Sequence, residues 1–124
     1  EIPSRLVGSE MCIRDRTQSE DKAFGIIIDS NDNVYVTGKT CSGLNSNKHL
    51  GECDYFLIKY NSSGSNQWSQ QGGSSLLDQA LSISSDSSNN IYIAGFTYGS
   101  LDGKSNLGGI DYFVVKFDQN GFKQ

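Results

Sequence analysis

No hydrophobic run in this sequence is long enough to cross a bilayer; the longest, Phe24 to Ile28, falls far short of a spanning segment. No cluster of Lys or Arg follows residue 16, and 10 basic against 14 acidic residues leave a net charge of −4. Nucleic acids and anionic membranes need the opposite balance, so neither is an expected partner. The one histidine, His49, has no partner histidine, and the three cysteines, Cys12, Cys41 and Cys53, stand in no metal-ligand spacing. Neither G-x-S-x-G nor a phosphate-binding loop is present, since Gly72-Gly73-Ser74 has no lysine after it. Serine is so abundant that a Ser/His/Asp grouping means nothing by counting. These residues point to no reaction, and no cofactor is expected.

Turn-forming residues are what the chain has in excess. There are 14 glycines, and serine and asparagine are also frequent, against one proline and 10% aromatics. That balance predicts many short strands joined by tight turns, and the aromatics in short apolar runs argue for a packed core over disorder. With 124 residues there is room for one core.

Residues 1–16, EIPSRLVGSEMCIRDR, hold every arginine (Arg5, Arg14, Arg16), the only Met and the only Pro. This composition break sets the segment apart as a stretch without stable structure. The string resembles a translated sequencing adapter, to be excluded from fold reasoning, with a natural N-terminal arm as the alternative. The rest divides into residues 17–77 and a truncated second unit, 78–124.

The division follows from an internal repeat. FGIIIDSNDNVYVTG at Phe24 recurs as LSISSDSSNNIYIAG at Leu81, and CDYFLIKYNSSG at Cys53 recurs as IDYFVVKFDQNG at Ile110. Both pairs share one offset, with Asp21/Asp78, Tyr35/Tyr92, Gly38/Gly95, Asp54/Asp111 and Lys59/Lys116 aligned without a gap. A fixed period of this size means one supersecondary unit per repeat, each burying its faces on its neighbours. Strands are expected at 23–29, 33–40, 54–61 and 66–71, four to a unit. Asp29, Asn33, Asp86, Asn90, Gly38 and Gly95 are read as structural turn residues. Val34 and Val36 alternate with Tyr35, all apolar, as expected of a sheet covered on both faces.

Each candidate site residue has a plain structural counterpart. Asp29, Asp32 and Asp86 can be read as a weak calcium cradle, but they lack the bidentate closing carboxylate of a calcium loop. Hairpin turns are the favoured reading. Lys59 and Lys116, inside apolar strands, are expected to lay their stems along the sheet with the ammonium at an edge or paired to an Asp. Tyr35, Tyr55, Phe56, Trp68, Tyr92, Tyr112 and Phe113 read as packing between units, which leaves Phe96, Tyr98 and the loop residue Asp102 as binding candidates. Cys41 and Cys53 bracket one strand connection, either as a disulfide or as two small buried thiols.

The strings DSNDNVYVTG, DYFLIKYNSSGSNQW and SLDGKSNLGG resemble the SBBP, or seven-bladed β-propeller, repeat family. Its units read roughly D-x-[SG]-G-N-x-Y-V-x-G-x-T, then D-x-F-x-x-K-[YFL], then G and W. Asp32 and Asn89 depart from it, standing where the pattern favours Gly. The resemblance implies an all-β fold of two consecutive four-stranded antiparallel blades, the second incomplete, within a larger toroid. It further implies a bacterial secreted, lipidated or surface protein, with the remaining blades, a protein or a glycan as partners. The function expected is a non-catalytic scaffold, interaction or adhesion module. The alternatives are a glycan- or Ca²⁺-binding propeller, or part of an enzyme whose active residues lie on other blades.

Overall fold

The structure, a computed structural model, describes residues 19–45, 47–101, 103–106 and 108–124. Strands β1 (Asp21–Ile28), β2 (Val34–Thr40), β3 (Asp54–Tyr60) and β4 (Asn66–Gly72) form one antiparallel sheet in the order β1-β2-β3-β4. Strands β5 (Asp78–Ser85), β6 (Ile91–Thr97) and β7 (Asp111–Phe117) form a second, in the order β5-β6-β7. Among the described residues there is no helix. The internal repeat is therefore a structural repeat, down to its register: Val34 faces Tyr60 and Ile91 faces Phe117. A fourth strand in the second sheet is only begun, by a bridge between Phe117 and Lys123.

Side-chain alternation along the strands decides how the sheets meet. Tyr35, Tyr55 and Leu57, with Ile27 and Trp68, present one face of the first sheet to Ile83, Ile91, Ile93, Phe113, Val115 and Phe117 of the second. The opposite face of the first sheet carries Val34, Val36, Phe56, Ile58 and Tyr60, packed with Leu44 from the β2–β3 connection. Both faces of this sheet are thus apolar, as its alternation pattern predicts. The contact is head to tail, since Ile91, Ile93 and Phe113 are the repeat equivalents of Val34, Val36 and Phe56. Burying one such side chain stabilises by roughly 1.5–3 kcal/mol, so this interface dominates the core.

One aromatic expected in that packing lies elsewhere. Tyr112 is 86% exposed and its neighbour Val114 62%, where their equivalents Tyr55 and Leu57 are 2% and 0% exposed. The residues have the right pattern, but among the described residues no further sheet lies on this face. Gly38 and Gly95 are also not turn residues. They sit inside β2 and β6, opposite bulges at Ala23/Gly25 and Ala80/Ser82. A methyl group at Gly95 would overlap the carbonyl oxygen of Gln79 and lie 2.8 Å from the Ala80 Cα. The bulge brings the two backbones together, and only glycine leaves room for it. Gly95→Ala should therefore cost more than about 2 kcal/mol in urea denaturation, whereas Gly108→Ala, which has open space around it, should cost little.

Candidate functional site

The hairpin turns are built around single acceptors. Asp29 accepts the backbone N–H groups of Asn31 (2.8 Å) and Asn33 (3.0 Å), the Asn33 side-chain amide and the Tyr35 hydroxyl. Asp86 repeats the set with Ser88, Asn90 and Tyr92. Burial opposes the charge on Asp29, yet these donors still hold its carboxyl below the usual range. The Asn90 side chain and backbone draw Asp86 down to about 2. Both carboxylates are thus engaged by N–H and O–H donors. Asp32 and Asn89, the positions where the family pattern favours Gly, have φ of 64° and 63°. Asp and Asn tolerate this left-handed conformation better than other non-glycine residues. Sequence reasoning missed a second pair of such turns. Asn61 caps the N–H of Ser63 and Ser65, and Asp118 caps those of Asn120 and Phe122. The signal was an Asn or Asp three residues before Gly64 and Gly121, both at positive φ.

The sheets join through a buried pair of acids. Asp54 opens β3 and Asp78 opens β5, and both are fully buried. Asp78 accepts from the Ser74 N–H and hydroxyl and from the Thr97 hydroxyl. Asp54 uses Oδ2 for the Leu50 N–H (2.7 Å) and the Gln71 amide (2.9 Å), while nothing among the described residues donates to its Oδ1. A Cβ at Gly73 would meet carboxylate oxygens of both residues, so Gly73 marks where they converge. Burial pushes the Asp78 carboxyl up, with the Asp54 charge adding to the rise. Beside this junction, Cys41 and Cys53 form a disulfide with Cα atoms 4.0 Å apart, the first of the two arrangements open to them.

The lysines follow the repeat too. Lys59 Nζ lies 5.5 Å from the Tyr35 ring centre and Lys116 Nζ 5.6 Å from that of Tyr92. Lys59 also donates to the Gln119 carbonyl, so its partners are a ring and a backbone oxygen, not an Asp. Phe96 and Tyr98 meet edge to face at 5.8 Å. Tyr98 is exposed, and Phe96 stands opposite Tyr112 on the uncovered face. Asp102 lies outside the described residues. A groove of about 540 Å³ runs along β7, lined in part by Leu101, Lys104, Asp111 and Phe113. No helix among the described residues is long and apolar enough to cross a membrane.

Residues 4–45 match the family SBBP, described as a β-propeller repeat. That stretch is similar to an SBBP β-propeller repeat. Within that match, residues 21–45 span β1, β2 and the start of the next connection, and the same segment returns in β5 and β6. The fold is accordingly all-β, with the sheets as propeller blades, the second lacking most of its fourth strand. The match begins inside the segment that composition sets apart, and residues 1–16 lie outside the described residues. No curated protein matches the chain.

Two outcomes follow from the blade junction. A raised Asp78 carboxyl contributes stability that is complete below the ordinary Asp value of about 4 and lost as pH rises through its own value. The lowered Asp29 and Asp86 contribute in the opposite sense, and their share is lost as pH falls. Asp78→Asn should therefore flatten the decline in urea midpoint above about pH 4 and leave the acid limb in place; parallel profiles for the two proteins would contradict the account. Replacing Cys41 and Cys53 together by Ser should lower stability by roughly 2–3 kcal/mol, read by the same titration without reductant.

Proposed function

We propose that this β-propeller module is a non-catalytic interaction scaffold of a bacterial envelope or secreted protein. The observation that carries the reading is the outward face of the second blade. Tyr112 and Val114 stand exposed there at the positions that bury the neighbouring blade elsewhere, with Phe96 beside them. An apolar face of this kind marks a protein contact surface. The Cys41–Cys53 disulfide supports export, because such bonds persist in oxidising compartments. The hydrogen-bonding acids support a structural role: Asp29, Asp78 and Asp86 spend their oxygens on turns and junctions.

A second reading, a glycan-binding blade, draws on the same surface, where Phe96, Tyr98 and Tyr112 offer rings for stacking. Sedimentation equilibrium separates the two. The scaffold reading expects association that grows with protein concentration and is abolished by Val114→Asp, with thermal unfolding unchanged. A monomer at every concentration, with Tyr112→Ala removing binding to an oligosaccharide panel, would favour the glycan reading instead.

A further inference from the structure

The passage from one blade to the next runs through Asp78. Its N–H donates to the Cys53 carbonyl at 2.8 Å, and the bridge between Cys53 and Leu77 pins the start of β5 beside the start of β3. The Leu77 carbonyl in turn accepts the Tyr98 N–H at 3.0 Å, which fastens the β6–β7 connection to the same point. Three pieces of chain thus meet around one fully buried carboxyl.

Hydrogen bonding at that point is one proton short. Asp54 Oδ1 is buried with no donor among the described residues, and it faces the small volume at Gly73 that Asp78 Oδ2 also borders. A Cβ built at Gly73 would overlap Asp78 Oδ2 and lie 3.1 Å from Asp54 Oδ1. On the other side of Asp78, the Thr97 hydroxyl lies between two acceptors, Asp78 Oδ1 and the Gly99 carbonyl at 3.2 Å, while accepting the Gly99 N–H at 3.1 Å. A hydroxyl donates one proton, so with Asp78 ionised it serves the carboxylate and not the carbonyl. With a proton on Asp78 Oδ1, the acid donates to Thr97 and Thr97 donates to Gly99. Neutral Asp78 also removes the opposition of two charges across Gly73. Thr40 stands the same way between Asp21 Oδ1 (2.6 Å) and the Ser42 carbonyl (3.2 Å), but Asp21 is only half-buried.

Among the described residues no cation offsets the pair. Lys22 and Lys39 of the first hairpin pair with Glu20 at 2.9 and 3.8 Å. Lys48, His49 and Glu52 of the β2–β3 connection and Tyr98 and Lys104 of the β6–β7 connection are exposed, and the β4–β5 connection has no ionisable side chain. Asp111, half-buried, stands beyond Thr97 in the ladder. Asp54 on β3 is the charge that acts on Asp78, and burial and that charge both favour the neutral acid.

We propose that the Asp54–Asp78 junction is a proton-operated latch. One proton, held on Asp78 and answered by the Thr97 hydroxyl, joins the two blades and the β6–β7 connection. When it leaves to solvent, two carboxylates share a buried volume and the Gly99 carbonyl loses the Thr97 donor, so the junction opens locally while both sheets stay paired. Because the folded value of Asp78 is raised, the latch is fully closed below the ordinary Asp value of about 4 and is released as pH rises through that of Asp78. The latch lies inside the molecule, so it does not rest on what the outward face binds.

Carboxyl carbon-13 NMR and amide exchange on the whole chain test it. The Asp78 carboxyl should titrate above those of Asp29 and Asp86. The Ser74, Tyr98 and Gly99 amides should open about tenfold more often per pH unit from about pH 4, levelling off once Asp78 has ionised, while the strand amides of Val36 and Ile93 hold steady. Asp54→Asn keeps an acceptor for Leu50 and Gln71 and removes the charge, so it should move the Asp78 titration down and shrink the rise at Ser74 and Gly99. The wild-type titration decides the matter even where that variant fails to fold. The latch is overturned by an Asp78 carboxyl that titrates at about 4 or below, by a rise equal at all amides, or by an unchanged Asp78 titration in Asp54→Asn. It is also overturned if millimolar calcium abolishes the rise, because a metal and not a proton would then hold the pair.

Discussion

The head-to-tail contact between the sheets, Tyr35, Tyr55 and Leu57 on one side and Ile91, Ile93 and Phe113 on the other, is the constraint to which the other features answer. It requires the inner strands β2 and β3 to be apolar on both faces, which is why β3 is buried along almost its whole length. It requires the strands to stay in register, because a slip of one residue would exchange the two faces. The bulges opposite Gly38 and Gly95 recur at the same place in both sheets, and the pairing before and after them is identical.

Around this interface the polar groups act as fixed points. Asp29 and Asp86 close the first hairpin of each blade, Asn61 and Asp118 close the last turn, and the Asp54–Asp78 pair sits where one blade ends and the next begins. Each is a short side chain accepting several donors at once, an efficient way to end a strand without a helix or a long loop. The acid junction is the costly exception, since two carboxyls share a buried site and one oxygen has no donor among the described residues.

Most of the fold was legible because the repeat speaks twice. A single copy of Asp29 to Tyr35 reads as a turn and a strand; its return at Asp86 to Tyr92 removes the ambiguity. Where sequence and structure differ, the cause lies in the third dimension, at positions where sequence shows only pattern. Gly38 reads as punctuation, yet its need comes from the close approach of Lys22 and Ala23 on the paired strand β1. Tyr112 has the environment of Tyr55 in sequence but not in space, because exposure depends on what lies on a face.

A contact that joins unlike faces of like units has no natural stopping point. Duplicating the coding stretch for one period would add a blade that already carries both complementary faces, its own capped turns and one more acid at each end. New interfaces need not evolve for the array to lengthen. The Cys41–Cys53 clasp breaks this equality, because Tyr98 and Ile110 occupy the matching places in the second copy. A genome that copies the period therefore inherits geometry for nothing extra, while covalent reinforcement must be acquired one blade at a time.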